Sequence, residues 1–210
     1  MEKVLPWERI NMDSKGNSLF YIAANKTSLI KNTFKNITTQ NENSIFDLMT
    51  VGANIDGNTF ENISLTGAGI FAMNLASPRE GIDFKPSAYF DDNYFENMKI
   101  ADVEGSIVQL NSKSLIFSAS RNTITDSFDS YEKPLFSLKD THCSPCLFQD
   151  NSFIFKKSQD GDSSLLYQIS RCEGEVWIFD TQIDHKSSHL HFDSLLKIED
   201  SPLILKEAES

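Results

Sequence analysis

The phrase Asn58-Thr59-Phe60-Glu61-Asn62-Ile63 decides the fold because it recurs along the chain. Two close copies are Asn32-Thr33-Phe34-Lys35-Asn36-Ile37 and Asn93-Tyr94-Phe95-Glu96-Asn97-Met98. Weaker copies follow, and their first residues are Asn122, Asn151 and Thr181. The leading positions therefore advance by 26, 35, 29, 29 and 30 residues. Self-similarity at such a period is typical of a solenoid, in which each repeat packs on its neighbours.

A second phrase keeps the same period and alternates apolar with polar residues. It reads Ser44-Ile45-Phe46-Asp47-Leu48 in one repeat and Pro134-Leu135-Phe136-Ser137-Leu138 in another. One column stays apolar in seven copies: Phe20, Phe46, Phe71, Val108, Phe136, Tyr167 and Leu196. The next column is mostly polar: Tyr21, Asp47, Ala72, Gln109, Ser137, Gln168 and Lys197. Alternation with a period of two predicts strands that bury one face.

A third short strand is predicted before each leading Asn, as in Leu115-Ile116-Phe117. Each unit of about 29 residues then holds three strands and three turns. Apolar spacings of three and four, which would indicate helices, do not occur over the required length. The sequence therefore predicts an all-β chain, a right-handed parallel β-helix solenoid of about seven coils with three short strands each.

The repeated asparagines and phenylalanines are predicted to stack from coil to coil. An Asn amide has both donors and an acceptor, and Asn tolerates the left-handed backbone of a tight turn. The predicted structural ladder is Asn32, Asn58, Asn93, Asn122 and Asn151. A second ladder is predicted for Asn36, Asn62 and Asn97, with Asp126. The predicted core stack is Phe34, Phe60, Phe95, Ile124 and Phe153.

These repeats resemble the pectin-lyase-like right-handed β-helix superfamily. Asn58-Thr59-Phe60-Glu61-Asn62-Ile63 followed by Gly67-Ala68-Gly69-Ile70-Phe71 is similar to the repeats of polymorphic outer-membrane and adhesin-type proteins. The resemblance covers about residues 17–200. It implies the β-helix fold and not one particular activity, because a fold hosts many functions.

The ends and one insertion interrupt the repeats. We expect residues 1–16 to form an N-terminal cap, with a short amphipathic helix or an irregular segment over residues 2–12. Residues 17–200 would form the β-helix, and residues 201–210 a C-terminal cap or tail. An insert at 74–87 is either a tolerated surface loop or a loop that contacts a partner. Its candidate partner residues are Pro78, Arg79, Glu80, Asp83 and Lys85.

Composition excludes several classes of function. The chain has 210 residues and a formal net charge of −11, without a basic run, so we expect no nucleic-acid partner. No stretch is long and apolar enough for a membrane helix, so no direct membrane span is expected. Sequons at Asn25, Asn36 and Asn62 slightly favour an extracellular or cell-surface location, as a fragment or a mature chain, in a sequence that otherwise leaves the location unknown.

The three cysteines leave alternatives open. Cys143 and Cys146 form a Cys-x-x-Cys pair beside His142, and Cys172 lies 29 residues after Cys143. Stacking by one coil would bring Cys143 and Cys172 close enough for a disulfide. The other interpretations are buried or stacked thiols, and a zinc site whose fourth ligand would be His142 or His185.

Other polar clusters have ordinary structural interpretations. His185, His189 and His191 lie close together in sequence with Asp184 and Asp193, and are interpreted as solvated turn residues rather than metal ligands. We predict no metal and no cofactor.

Asp91 and Asp92 form a carboxylate pair in the turn before Asn93 and are interpreted as turn-formers. Enzymes of the resembled superfamily cleave acidic polysaccharides with such carboxylates, often with calcium.

The predicted function is a non-catalytic structural or protein-interaction module, a scaffold or accessory subunit in a larger assembly or surface structure. Its partners would be other proteins that contact a flat solenoid face, the open ends or the 74–87 loop. The alternative is a carbohydrate-active β-helix, similar to polysaccharide lyases or hydrolases. The sequence predicts neither the partner's identity nor the oligomeric state.

Overall fold

The computed structural model describes residues 6–12, 18–39, 44–65, 69–75, 85–100, 106–125, 134–155, 165–185, 196–201 and 203–206. These residues form 19 strands, all paired in parallel, and no helix. The strands lie in three stacks, named here A, B and C. A coil visits stack A, then stack B, then stack C. The predicted parallel β-solenoid is therefore confirmed.

Stack A holds the strands of the Ser-Ile-Phe-Asp-Leu phrase. Two of its members are the first halves of the long strands β2 (Phe20–Ile30) and β4 (Phe46–Asp56), at residues 20–24 and 46–50. The others are β6 (Gly69–Leu75), β9 (Ser106–Asn111), β12 (Pro134–Lys139), β15 (Leu165–Ser170) and β18 (Leu196–Glu199). Equivalent residues of successive phrases pair in register, as Phe46 with Phe71 and Phe71 with Val108.

Stack B continues from the second halves of β2 and β4, residues 26–30 and 52–56. It then contains β7 (Ser87–Asp91), β10 (Leu115–Ser120), β13 (His142–Gln149), β16 (Glu173–Phe179) and β19 (Leu203–Lys206). Because β2 and β4 run through both stacks, stacks A and B belong to one sheet. The 76–84 part of the insert, between β6 and β7, lies outside the described residues.

Stack C is a separate seven-stranded sheet that holds the Asn-x-Phe phrases. Its strands are β1 (Pro6–Met12), β3 (Thr33–Thr39), β5 (Thr59–Leu65), β8 (Tyr94–Ile100), β11 (Thr123–Thr125), β14 (Ser152–Phe155) and β17 (Gln182–His185). Phe34 pairs with Phe60 and Phe60 with Phe95, so the phrases stack as the period predicts.

The described residues contain fewer complete coils than the seven predicted. β1 belongs to stack C alone, whereas β18 and β19 belong to stacks A and B alone. Neither end therefore supplies all three strands of a coil. The coils described without a gap are residues 18–39, 44–65, 106–125, 134–155 and 165–185.

The N-terminal segment differs from the prediction of a helical or irregular cap. Pro6–Met12 forms a strand that pairs in parallel with β3, and Trp7 takes the register position opposite Phe34. Trp7-Glu8-Arg9-Ile10 repeats the spacing of Phe34-Lys35-Asn36-Ile37, and this spacing is a strand signal. The segment does cover the edge of β3. At the other end, β19 extends stack B past residue 200.

The core lies between the three stacks and contains aligned aromatic rings. Phe34, Phe60 and Phe95 are fully buried, and successive ring centroids are 4.9 Å apart with planes within 11°. Ile124 and Phe153 continue this buried column. Each such buried side chain contributes about 1.5–3 kcal/mol of hydrophobic stabilisation. A stack A column of Phe20, Phe46 and Phe71 repeats the 4.9 Å spacing.

Candidate functional site

The asparagine ladder lies at the corner between stacks B and C. The backbone N–H of Asn58 and its Nδ2 both donate to Oδ1 of Asn93, at 3.0 Å each. The second Nδ2 hydrogen of Asn58 goes to the Leu29 carbonyl at 2.7 Å. The same inter-coil pattern joins Asn32 to Asn58, Asn93 to Asn122 and Asn122 to Asn151. The predicted ladder is therefore confirmed, and its buried amides hold neighbouring coils together.

The left-handed backbone at this corner belongs to the residue before each ladder position, not to the ladder asparagines. Its φ lies between 51° and 63° at Lys31, Gly57, Asp92, Arg121, Asp150 and Asp180. Gly and Asp adopt this conformation readily, whereas Lys and Arg do so at a cost of about 1–2 kcal/mol. The Asn at the ladder position is needed for its hydrogen bonds.

A second ladder of Asn36, Asn62 and Asn97 runs along the outside of stack C. These three residues do have left-handed φ values of 54–55°. Nδ2 of Asn62 donates to Oδ1 of Asn36 at 3.3 Å, and Nδ2 of Asn97 donates to Oδ1 of Asn62 at 2.6 Å. The expected fourth member, Asp126, lies outside the described residues.

The disulfide joins Cys143 to Cys146, so the pairing of Cys143 with Cys172, one of the alternatives that the sequence left open, is wrong. The register of β13 shifts between the two bonded cysteines, and residues 144–145 form a bulge there. The bulge leaves Cys143 and Cys146 on the same buried side of the strand, with their Cα atoms 5.1 Å apart. Cys172 is a free thiol in the interior.

Cys172 belongs to a second buried corner ladder, between stacks A and B, that the sequence reasoning missed. The backbone N–H of Ser112 points to Oγ1 of Thr141, 3.4 Å away, and the N–H of Cys172 donates to Oγ of Ser201 at 2.9 Å. The Cys172 thiol therefore occupies a position that a hydroxyl fills in neighbouring coils. Burial raises its pKa, despite hydrogen bonds with the Thr141 and Ser170 backbone. The signal was the recurring Lys139-Asp140-Thr141, Ser170-Arg171-Cys172 and Glu199-Asp200-Ser201.

Tyr167 closes the asparagine ladder towards the C-terminal end. Its hydroxyl lies 3.3 Å from Oγ1 of Thr181, the residue at the ladder position after Asn151. Burial raises the pKa of Tyr167 to about 12, although hydrogen bonds with Thr181 and Asn151 favour the ionised form. The phenol is therefore a neutral hydrogen-bonding group at physiological pH.

Asp91 and Asp92 both bind groups on the next coil. Oδ1 of Asp91 accepts the backbone N–H of Ser120 at 3.0 Å. Asp92 forms a bidentate ion pair with Arg121, with both nitrogen–oxygen distances at 2.8 Å. Burial raises the pKa of Asp91, against the lowering effects of the Ser120 N–H and Arg121. Asp91 and Asp92 therefore stabilise the turn between stacks B and C, as the turn-former interpretation predicts.

An equivalent ion pair lies at the other corner. Arg171 contacts both carboxylate oxygens of Asp140, at 2.5 and 2.6 Å. Hydrogen bonding to Arg171 lowers the pKa of Asp140. Both residues have left-handed φ values, so the pair joins two strained turns in neighbouring coils.

His142 is the histidine whose side chain the structure describes, and it lies near one carboxylate. Nδ1 of His142 lies 3.7 Å from Oε2 of Glu173, and both side chains are exposed. No group of three or more metal-ligating side chains occurs among the described residues. The structure does not describe the side chain of His185. It describes no part of His189 or His191.

The candidate partner loop is described only at its two ends, residues 74–75 and 85–87. Lys85 is exposed. Pro78, Arg79, Glu80 and Asp83 lie outside the described residues, so their partner role stays a prediction.

The outer face of stack A carries two columns of side chains. The central part of the first column is half-buried and uncharged: Ala72, Gln109, Ser137 and Gln168. Asn74, Asn111 and the exposed Lys139 lie beside it in the second column. Charged neighbours flank this part, with Asp47 on one side and Lys197 on the other.

No described segment is a helix of the length and apolarity required to cross a membrane. Comparison with protein-family models, with curated proteins and with solved structures found no match to this chain.

Proposed function

We propose that the protein is a non-catalytic structural scaffold that presents its solenoid surface to other proteins. One observation carries the proposal. The buried asparagines, the corner hydroxyls and the carboxylate–arginine pairs all join one coil to the next. Such a use of polar side chains builds a continuous rod.

The central face of stack A is the surface that we propose for a protein partner. In a chain with a formal net charge of −11, four consecutive strands present Ala72, Gln109, Ser137 and Gln168, an uncharged run of their column between Asp47 and Lys197, with exposed Lys139 in the column beside it. The fully buried centres of protein interfaces are depleted of charged residues. We propose it for the flat-face contact that the sequence analysis predicts, and the 74–87 loop and the two ends stay further candidate contacts.

The relationship of this chain to a family of β-helix proteins is also a proposal. The repeats resemble those of the pectin-lyase-like superfamily and of adhesin-type proteins. A solenoid built from such repeats can form a rod with a protein-binding face. The alternative, a carbohydrate-active β-helix, would need acid and base carboxylates available to a substrate. Asp91 and Asp92, the carboxylate pair that is adjacent in the sequence, both bind the neighbouring coil.

Two measurements test the scaffold function. A photo-reactive residue placed at position 72 or 137 should cross-link to one defined protein in the cells that make the chain. The same residue at exposed Thr38, on stack C, should not. The purified chain should leave uronate polymers intact with calcium present. If the chain depolymerises the polymer and Asp91→Asn abolishes this activity, the enzymatic alternative is established. If positions 72, 137 and 38 cross-link equally, the proposal that stack A is the protein interface is wrong.

A further inference from the structure

The acceptor triplets for N-linked glycans lie on the surface of the solenoid. Such a triplet is Asn-x-Ser/Thr, with x other than proline, and it begins at Asn25, Asn36 and Asn62. All three residues are exposed. In the buried ladder the residue two positions after each Asn lies in the core, as Phe60 and Ile124 do, so those asparagines begin no triplet. The triplets therefore occur where the fold has room for a bulky group.

The disulfide is an independent observation on the same question. Cys143 is bonded to Cys146. Disulfides form and persist in oxidising compartments, through which secreted proteins pass, and they are rare in the cytosol. N-linked glycans are attached to proteins on that same route. Two kinds of residue, in different parts of the fold, thus indicate one route of maturation.

Access to the triplet distinguishes Asn36 from the other two sites. The transferase must reach both the asparagine amide and the hydroxyl two positions later. Thr38 is exposed together with Asn36, whereas Thr27 of the Asn25 triplet is buried and Ser64 of the Asn62 triplet is half-buried. Both groups are therefore exposed only in the triplet of Asn36.

The hydrogen bonds of the exposed ladder also favour Asn36. Its Oδ1 accepts Nδ2 of Asn62 at 3.3 Å, whereas its own Nδ2 donates no hydrogen bond among the described residues. Asn62 uses both ends of its amide, because its Oδ1 also accepts Nδ2 of Asn97 at 2.6 Å. A substituent on Nδ2 of Asn36 leaves these bonds in place. We propose that Asn36 carries an N-linked oligosaccharide, added while the chain matures in an oxidising secretory compartment.

The transfer balances without an oxidant or a reductant. The donor class is a lipid-linked oligosaccharide diphosphate. The bond between C1 of its first sugar and the diphosphate oxygen breaks, and the lipid diphosphate leaves with that electron pair. A bond forms between C1 and Nδ2 of Asn36, and Nδ2 gives up one proton. Oδ1 keeps its lone pairs and still accepts the Nδ2 hydrogen of Asn62.

The glycan divides the solenoid surface into faces of different use. Asn36 lies on the outside of stack C, at a left-handed φ of 55° within β3. An N-linked glycan is bulky and strongly hydrated, so it keeps proteins away from the surface around it. Stack A belongs to the other sheet and stays open. This division agrees with the proposed stack A interface and does not rest on it.

Mass spectrometry of the chain recovered from the cells that make it tests the assignment. Peptide-N-glycosidase converts a glycosylated Asn to Asp, and in heavy-oxygen water it labels that residue. We expect the label at Asn36 and a faster band on a gel after the enzyme treatment. Asn97 is the internal control. It belongs to the same ladder and has a φ of 54°, but Lys99 stands where the triplet needs a hydroxyl, so it should stay unlabelled.

Two variants separate the glycan from the ladder. Thr38→Val removes the hydroxyl of the triplet and leaves the Asn36 amide and its bond to Asn62 unchanged. It should lose the label at Asn36 and the gel shift caused by that glycan. Thr38→Ser is the matched control, because it keeps a hydroxyl and should keep both. Circular dichroism spectra like that of the unchanged chain show that the two variants are folded.

Three results would overturn the assignment: an unmodified Asn36 in the recovered chain, a label on Asn62 without one on Asn36, or a glycan on Asn36 that survives Thr38→Val. None of them bears on the scaffold function, which depends on cross-linking from positions 72 and 137 and on the absence of uronate depolymerisation.

Discussion

Asn58 and Asn93 are hydrogen-bonded neighbours although 35 residues separate them along the chain. Both Asn58 donors reach Oδ1 of Asn93 at 3.0 Å, as in the coils that are 26 or 29 residues long. The insert between β6 and β7 therefore lengthens one coil without breaking the ladder. The amide at this corner, rather than a constant coil length, keeps the stacks in register.

Asn93→Ala should destabilise the fold strongly. The substitution leaves the buried Asn58 N–H and Nδ2 without their acceptor and the Ile55 carbonyl without the Nδ2 of Asn93. We expect a loss of about 2–5 kcal/mol in the free energy of unfolding, measured with urea. The control is Asn62→Gly in the exposed ladder, which keeps the left-handed backbone and should cost no more than about 1 kcal/mol. Equal losses in the two variants would contradict the structural importance of the buried ladder.

Gly174→Ala should be far more damaging than Gly52→Ala. Gly174 has a φ of 94°, and a Cβ there would overlap the Cys143 carbonyl in the neighbouring strand. The expected loss is about 1–3 kcal/mol from the backbone conformation, with the clash in addition. At Gly52 the nearest atom to an added Cβ is Cγ of Lys26, at 3.8 Å, so the change should be small. Thermal unfolding of the two variants compares them directly, and a harmless Gly174→Ala would show that the strand approach is looser.

Alkylation followed by mass spectrometry should separate the three cysteines. Cys143 and Cys146 are bonded, and the buried Cys172 thiol has a raised pKa, so the native protein should incorporate no alkyl group at neutral pH. Denaturation without reductant should expose one reactive thiol, on Cys172. Denaturation with reductant should expose all three. Peptide mapping that finds Cys146 as the reactive residue in the unreduced sample would restore the pairing of Cys143 with Cys172.

Asp91 and Asp140 should change the pH dependence of stability in opposite directions. Burial raises the folded-state pKa of Asp91, so its neutral form stabilises the fold at low pH and this contribution disappears as pH rises through that value. Hydrogen bonding to Arg171 lowers the folded-state pKa of Asp140, so its contribution is present above the ordinary Asp range and is lost as pH falls.

The two asparagine variants test this difference. Asp91→Asn should be at least as stable as the unchanged chain at neutral pH, because Oδ1 of the amide can still accept the Ser120 N–H without carrying a buried charge. Asp140→Asn should be less stable at neutral pH, and its deficit should vanish in acid. Urea midpoints across the acidic range measure both effects. Parallel pH profiles for the two variants would refute the assigned pKa directions.

The alternation and the repeat made the stacks predictable. Phe34, Phe60 and Phe95 recur in equivalent phrases, and a solenoid places equivalent residues directly above one another, so a shared column follows from the sequence. The N-terminal strand was missed because β1 is a single phrase without its companion strands. Its spacing at Trp7 and Ile10 nevertheless matches the column.

The cysteine site was not predictable from the period. Cys143 and Cys172 are one repeat apart, but a bulge of one strand decides which side chains enter the interior together. Cys172 occupies a corner position equivalent to those of Thr141 and Ser201. A cysteine in the sequence does not by itself indicate that it replaces a hydroxyl residue. The pairing therefore depends on local backbone geometry and not on spacing.

The sequence by itself determined the parallel solenoid, the asparagine ladder and the buried aromatic columns, because each depends on residue types that recur with the coil. Only the tertiary structure decided the disulfide, the hydroxyl and thiol corner ladder and the ion pairs of Arg121 and Arg171. These depend on a local bulge and on left-handed turns. A repeat fixes what neighbouring coils share, and the three-dimensional packing fixes where they differ.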